Sequence, residues 1–356
     1  MKISFVVPGL YFKSGGLRII FEYANRLHDK GHDVIIYNPL MYYNFFKGEF
    51  RVRSTLGRYR NSVRDLVFGV NIPKNFYEHN FKIVNVPFIS NLFLGDADIV
   101  IATAWPTAYS VFDLNKSKGK KIYFIQDYES WNANIEYVDK SYLLPLKRIT
   151  ISKYLRKLFE EKFHIDTEVI YNGIDFNKFN NEQKVFNTIK RISFIYHDLE
   201  KKDSEAAIKT VVRLKEKYPD IEIISFGYNA YKNMPDFVKF YVNPNDELIK
   251  NIYCMSDIFL FTSKEEGFGL PPAEAMGCKC AVVTTNVGAI PEYSIPNISA
   301  IHTNPQKPDE LFYGACSLLE NIDKLKDISF EGHRMVTKLL KWDDSIEKFE
   351  YFIHNI

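Results

Sequence analysis

The chain has 356 residues, 46% of them hydrophobic and 25% charged, with a formal net charge of +2. That length favours two domains with a large core, and so even a charge balance gives no electrostatic reason to expect a nucleic-acid partner. No run approaches the ~20 apolar residues of a membrane span, and MKISFVVPG is too short an apolar run for a signal peptide, so a cytoplasmic protein is expected.

Along the chain, ISFVVP (3–8) is an apolar run of buried-strand type. Gly15-Gly16 follows, and then Ile20, Phe21, Ala24 and Leu27 recur at helical spacing up to a stop at Gly31. DVIIY (33–37) is the next strand. The segment 47–74 holds Lys47, Arg51, Arg53, Arg58, Arg60, Arg64 and Lys74 against Glu49 and Asp65, with Phe50 and Phe68 interleaved. It reads either as a surface for peripheral contact with an anionic membrane or as a solvated loop and helix face. DIVIATA (98–104), KIYFIQD (121–127), RITIS (148–152) and EVIYNGID (168–175) continue the strands. Strands of this kind alternating with helices predict parallel βαβ units. Asp96-Ala-Asp98 has the form of a metal-binding pair but precedes its strand, and no metal site is assigned to it.

Residues 176–190 are polar and Asn-rich and read as a linker. The pattern then restarts: RISFIYH (191–197) echoes KISFVVP (2–8). A helix (205–220), a strand (221–227), a helix (247–257), the strand IFLFTS (258–263), the helix PPAEAMGCK (271–279) and the strand CAVVTT (280–285) follow. Helices at 309–322 and 345–356 close the chain. The fold class is therefore α/β, with two doubly wound parallel-sheet domains. The expected organisation is a first domain at 1–175, a linker at 176–190, a second domain at 191–340, and a final helix at 341–356 returning to the first domain. Ligands are expected beyond the carboxyl ends of the strands, in a cleft between the two domains. Cys254, Cys278, Cys280 and Cys316 have no metal-ligand spacing and are expected as free thiols.

EEGFGLPPAEAMG (265–277) is the chemically densest stretch. Gly267 and Gly269 let backbone approach a ligand, and Pro271-Pro272 suit a helix start. A helix amino terminus receives phosphate, while Glu266 on the loop and Glu274 in the first helical turn are acceptors for sugar hydroxyls. Together they suit a nucleotide sugar; the alternative is an acidic helix start stabilised by the helix dipole.

The stretch from Glu266 to Glu274 resembles the E-x7-E motif of retaining glycosyltransferases of family 4, which have the GT-B fold. Gly15-Gly16 resembles that family's amino-terminal glycine loop, Asn172-Gly173-Ile174-Asp175 the segment closing its first domain, and Val287-Gly288-Ala289-Ile290-Pro291-Glu292 its V-G-G-x-P-E run. The resemblance implies sugar transfer from a nucleotide donor with retained configuration and no obligatory metal or other cofactor. It also implies that the second domain holds the donor and the first the acceptor. Carried over, Glu274 would bind the ribose. Glu266, Gly267, Phe268, Gly269 and Leu270 would hold the donor sugar. Gly15-Gly16 and Lys202 would meet the diphosphate, and Glu266 and Lys202 would be the catalytic pair. His197 stands where the family has Arg, either replacing its charge or as a packed strand-end residue, and Asp203 stands where Gly is usual. Gln126-Asp127 replaces a usual His-Asp, leaving Asp127 to orient an acceptor or donor hydroxyl or to cap a helix. ATAWPTAYSV and IYFIQDYE are also similar to bacterial surface-polysaccharide transferases, including rhamnosyltransferases. The expected acceptor is a glycan or a lipid-linked sugar. A GT-B phosphorylase or epimerase, or an inactive member serving as a binding subunit, stays open.

Overall fold

The computed structural model describes residues 1–10, 13–40, 43–44, 49–50, 77–130, 133–186, 188–305 and 307–356. The basic segment 47–74 thus lies outside the described residues, apart from the backbone of Glu49–Phe50. The chain divides into two compact units: Met1–Tyr171 with Ile346–Ile356, and Asn172–Ser345.

In the first unit the strands are β1 (Lys2–Val6), β2 (Asp33–Pro39), β3 (Tyr43–Asn44), β4 (Glu49–Phe50), β5 (Lys82–Val86), β6 (Ile99–Ala102), β7 (Lys120–Ile125), β8 (Lys147–Thr150) and β9 (Glu168–Val169). Seven form one sheet in the order β5-β2-β1-β6-β7-β8-β9, and β3 and β4 form a separate antiparallel pair. All pairings in the large sheet are parallel. Helices cover its faces, so β6 is buried at every position, the continuous apolar run that sequence reading takes as a buried strand. The NGID segment leaves the sheet after Val169 because it has another partner: the Ile174 amide donates to Leu340 O at 2.9 Å, and a side chain at Gly173 would run into Trp342. The final helix, Trp342–Asn355, buries Phe349 among Phe5, Tyr23 and Phe124, with ring centroids at 6.5, 5.1 and 6.3 Å. Glu350 on that helix accepts from Lys30 Nζ at 2.6 Å and bonds His32 Nε2 at 2.9 Å.

The second unit has β10 (Arg191–Tyr196), β11 (Glu222–Gly227), β12 (Val238–Val242), β13 (Ile258–Phe261), β14 (Ala281–Thr285) and β15 (Ile301–Thr303), ordered β12-β11-β10-β13-β14-β15 and parallel throughout. Ile192, Phe194, Val211, Leu214, Leu260 and Val283 are fully buried at its centre. The strand order reverses between β10 and β13, which is where open sheets of this kind bind ligands. Residues 176–190, expected as a linker, fall inside this unit: Phe179 is buried, and Lys184 Nζ donates to Cys254 O at 3.2 Å. The four cysteines are free thiols.

His302 on edge strand β15 is pushed down to about 4 because burial disfavours its imidazolium. Its folded pKa lies below the ordinary 6.5, so the unfolded chain binds the extra proton. Stability contributed by the neutral ring is complete above pH 6.5 and is lost as pH falls toward 4, by up to about 3 kcal/mol. His302→Gln is expected to flatten the fall in melting temperature between those limits; parallel curves for the variant and the parent chain would refute the assignment.

Candidate functional site

Two loops at the carboxyl edge of the second unit's sheet meet at the strand-order reversal. The first follows β10: His197, a 3-10 turn at Glu200–Lys202, then the helix Ser204–Lys217. The second follows β13 and leads into the helix Leu270–Gly277. They are tied through backbone. Thr262 Oγ1 donates to Lys202 O at 3.2 Å and Asp203 O at 2.9 Å, and the Lys264 amide donates to Lys201 O at 2.7 Å. This brings Lys202 Nζ against Glu266 Oε1 as an ion pair, and Ser263 Oγ donates to the same oxygen at 2.7 Å. The two charged side chains are 24% and 10% exposed, so water screens the pair only in part. The two predicted catalytic residues, 64 apart in sequence, share one array.

The glycines around Glu266 have specific duties. Gly269, at φ +84°, caps the helix, and its carbonyl accepts from the buried Tyr293 Oη at 2.7 Å. Gly288, at φ +57°, lies so close beneath Glu266 that a Cβ there would meet the Glu266 carbonyl carbon and Cβ at 2.9 Å. Phe268 is buried, 5.7 Å from the Tyr293 ring, and therefore supports the loop from inside. Gly267 and Leu270 complete the turn between Glu266 and the helix.

Two expectations about the helix need correction. Glu274 is the fifth residue of Leu270–Gly277, so it lies in the second turn, beyond the strongest influence of the helix dipole. It is buried, with Tyr253 Oη donating to Oε2 at 3.5 Å. Pro271 and Pro272 remove two of the amides that a helix start normally offers an anion, leaving the Gly269 and Leu270 amides at this terminus.

His197 is exposed at the end of β10. Its amide donates to Ser204 Oγ at 2.8 Å, and its Nδ1 accepts from the Leu199 amide at 3.0 Å. An Nδ1 that accepts carries no proton, so the neutral ring presents its N–H at Nε2. Loss of surrounding water and then the charge of Lys202 hold its pKa below the ordinary histidine value. Without a ligand it is therefore a neutral donor at pH 7, unlike the cation expected from the Arg position. Asp203 stands in the left-handed region, φ +45° and ψ +45°. That explains why a position resembling a family Gly tolerates Asp, the non-glycine type that, with Asn, enters this region most readily.

In the first unit, Gly15 and Gly16 open the helix Gly15–Asp29 behind the cap Ser14, whose Oγ accepts from the Leu17 amide at 3.2 Å. Tyr77 Oη donates to Ser14 O at 2.7 Å and fixes the turn. A Cβ at Gly16 would sit 3.3 Å from Gln126 Nε2, so the glycine loop abuts the end of β7. Asp127 accepts from the next amide, that of Tyr128, at 2.9 Å. The following helix, Ile135–Leu143, is capped by Asn134. Among the described residues, no group of three or more His, Cys, Asp or Glu is placed to hold a metal ion. Asp96 pairs with Lys118 at 2.9 Å, and Asp98 accepts from the Lys2 amide at 2.7 Å.

Ser263, Tyr253 and Tyr293 were not singled out by sequence. Only the Thr-Ser pair ending a buried strand hinted at Ser263; the tyrosines read as ordinary core.

Two parallel-sheet α/β units with these strand orders define the GT-B architecture. The same fold is found over the full length of HepE of Anabaena, solved in complex with UDP-glucose, at a TM-score of 0.75 and 15% identity, covering 100% of both chains. Residues 176–335 match the family model "Glycosyl transferases group 1", and residues 80–154 match "WsaF, N-terminal domain". The group 1 match falls within the second unit, which is therefore similar to that family's domain. An uncharacterized glycosyltransferase of Methanocaldococcus jannaschii is 24% identical over 98% of this chain and 97% of its own length. The phosphatidylinositol N-acetylglucosaminyltransferase GPI3 subunit of Saccharomyces cerevisiae is 30% identical over 31% of this chain, a match that spans 24% of that subunit's length.

Proposed function

We propose that this chain is a retaining glycosyltransferase that moves a sugar from a nucleotide-sugar donor to a glycan or lipid-linked acceptor, in bacterial cell-surface polysaccharide synthesis. The observation that carries this reading is the Lys202–Glu266–Ser263 array at the strand-order reversal of the second unit. Lys202 meets the negative charge that grows on the diphosphate as the sugar leaves, and Nε2–H of His197 adds a neutral donor. Glu266, held by Lys202 and Ser263, faces the donor sugar. Glu274, aimed by Tyr253, accepts from the ribose hydroxyls. The cation in this scheme is Lys202, so no metal is obligatory. As the resemblance implies, the first unit's own candidates are Asp127 for orienting an acceptor or donor hydroxyl and the Gly15-Gly16 turn for the diphosphate. The UDP-glucose held by HepE and the sugar transfer named for the yeast subunit are of the same chemical class.

A thermal-shift panel of nucleotide sugars identifies the donor, because a ligand bound only by the folded chain raises its melting temperature. The expected products are a nucleoside diphosphate and a glycoside of unchanged anomeric configuration, formed equally in EDTA. A sugar phosphate or an isomerised donor would replace the reading with phosphorylase or epimerase, and a bound donor never consumed would make the chain a binding subunit. Glu274→Ala is expected to weaken nucleoside diphosphate binding about tenfold or more, the loss of a charged acceptor worth roughly 1.5–3 kcal/mol. Unchanged affinity would remove Glu274 from the ribose.

A further inference from the structure

The opposite edge of the first unit's sheet carries a separate feature. Around the amino-terminal ends of β6, β7 and β8 lies an open cavity of about 890 Å³. Its lining includes Lys116, Lys120, Lys121, Lys147 and Arg148 against the one carboxylate of Asp98. Lys120 and Lys147 are the first residues of β7 and β8, and Asp98 precedes β6. The glycine turn and Asp127 belong to the other end of these strands, so this cavity is no part of the site described above.

Several of these cations are oriented by oxygens around the cavity: Lys120 Nζ donates to Ile356 O, and the Asp113 carboxylate acts on Lys121. Arg148 donates from Nε to Tyr142 O at 2.9 Å and from Nη2 to Leu144 O at 2.6 Å. Lys121 Nζ donates to Phe112 O at 2.5 Å. Carbonyl partners fix these side chains but leave the full positive charge in place. The floor is rigid: Gly119 has φ +102°, and a Cβ there would stand 2.6 Å from the Asp98 backbone. Among the lining residues five positive charges face the single carboxylate of Asp98, with Asp113 beside Lys121, so the concavity keeps an excess of positive charge that an entering anion relieves.

We propose that this cavity binds a multiply charged phosphate group. Such a group carries more charge and more acceptor oxygens than a carboxylate or chloride, so it meets more of these cations at once. The same chemistry is presented by a free phosphate compound and by an anionic lipid headgroup. Phe112 and Leu143, 39% and 54% exposed, are apolar neighbours that a membrane surface would cover.

The test uses the full chain carrying Lys202→Ala, which takes the principal cation out of the donor site, with and without Lys116→Glu and Lys147→Glu. Both lysines are exposed, so the fold should tolerate the exchange; equal melting temperatures verify this. Inorganic pyrophosphate is titrated by calorimetry, and co-sedimentation is measured with vesicles of phosphatidic acid, whose headgroup is a phosphomonoester, and of phosphatidylcholine. The expected result is binding that weakens at least tenfold in the Lys116→Glu, Lys147→Glu chain and falls between about 50 and 500 mM salt, as screening requires. Pyrophosphate binding assigns a free phosphate; binding to phosphatidic acid vesicles alone assigns a headgroup. Absence of both, or equal binding with and without the two lysines, overturns the proposal.

Discussion

Lys202→Ala is expected to lower kcat/KM for sugar transfer by about 10²–10³, the effect of removing one fixed positive group from a developing negative charge. The same substitution has a structural cost, because it leaves Glu266, 10% exposed, with a carboxylate whose ion-pair partner is gone. The two effects separate in the variant Lys202→Ala, Glu266→Gln. The amide needs no cation and still accepts from Ser263, so the melting temperature should recover most of what Lys202→Ala lost. Turnover should not recover, because neither new side chain is positive. The measurements are melting temperature and release of nucleoside diphosphate from the donor, for the parent, both single variants and the double variant. Turnover rising together with stability in the double variant would show that Lys202 only supports the fold.

Gly288→Ala is expected to reduce turnover about a hundredfold or more, although Gly288 contributes no side chain to the site. At φ +57° an L residue costs roughly 1–2 kcal/mol. The larger effect is steric, since the new methyl would press on the backbone and Cβ of Glu266, atoms that no change of rotamer can clear. The Glu266 loop must then shift, and displacement of a positioned group by about 1 Å costs on the order of 10² in rate. Gly31 supplies the control. Its φ is +87°, but nothing lies within 4 Å of a Cβ there, so Gly31→Ala should lose about 1 kcal/mol of stability and leave turnover unchanged. Equal turnover in Gly288→Ala and Gly31→Ala would mean that the closeness of Gly288 to Glu266 has no bearing on activity.

The architecture was largely legible in the chain because burial on both faces writes itself as continuous apolar runs. RISFIYH and IFLFTS are each read as strands without knowledge of their neighbours, and β10 and β13 start where those runs start but end before His197 and Thr262. Edge strands were harder. VKFYV, which became β12, is exposed or half-exposed at four of its five positions and carries no such run. Residues 176–190 looked like a linker because Asn and Lys dominate them, yet Phe179 buries itself and draws the segment into the second unit.

For the site, the sequence by itself offered the Glu266–Glu274 loop and its glycines as a local pattern of residue type and spacing, while Lys202, His197 and Gly15-Gly16 entered through the family resemblance. The sequence also contained two limits that local reading passed over, the missing amides of Pro271 and Pro272 and the second-turn position of Glu274. Only the tertiary structure decided which of these groups lie together. The order that sets β10 beside β13 brings Lys202 to Glu266, turns Ser263 onto the same oxygen, and places Tyr253 on Glu274. It also makes Gly288 a necessity of packing against Glu266, where the sequence shows only a glycine. The cations of the basic cavity come together in the same way, from residues at the starts of separate strands. The physical reason is common to all of them: a residue's type and its local backbone preference are encoded within a few positions. Its distance to a partner dozens of residues away is set by strand order, which depends on how the whole core packs.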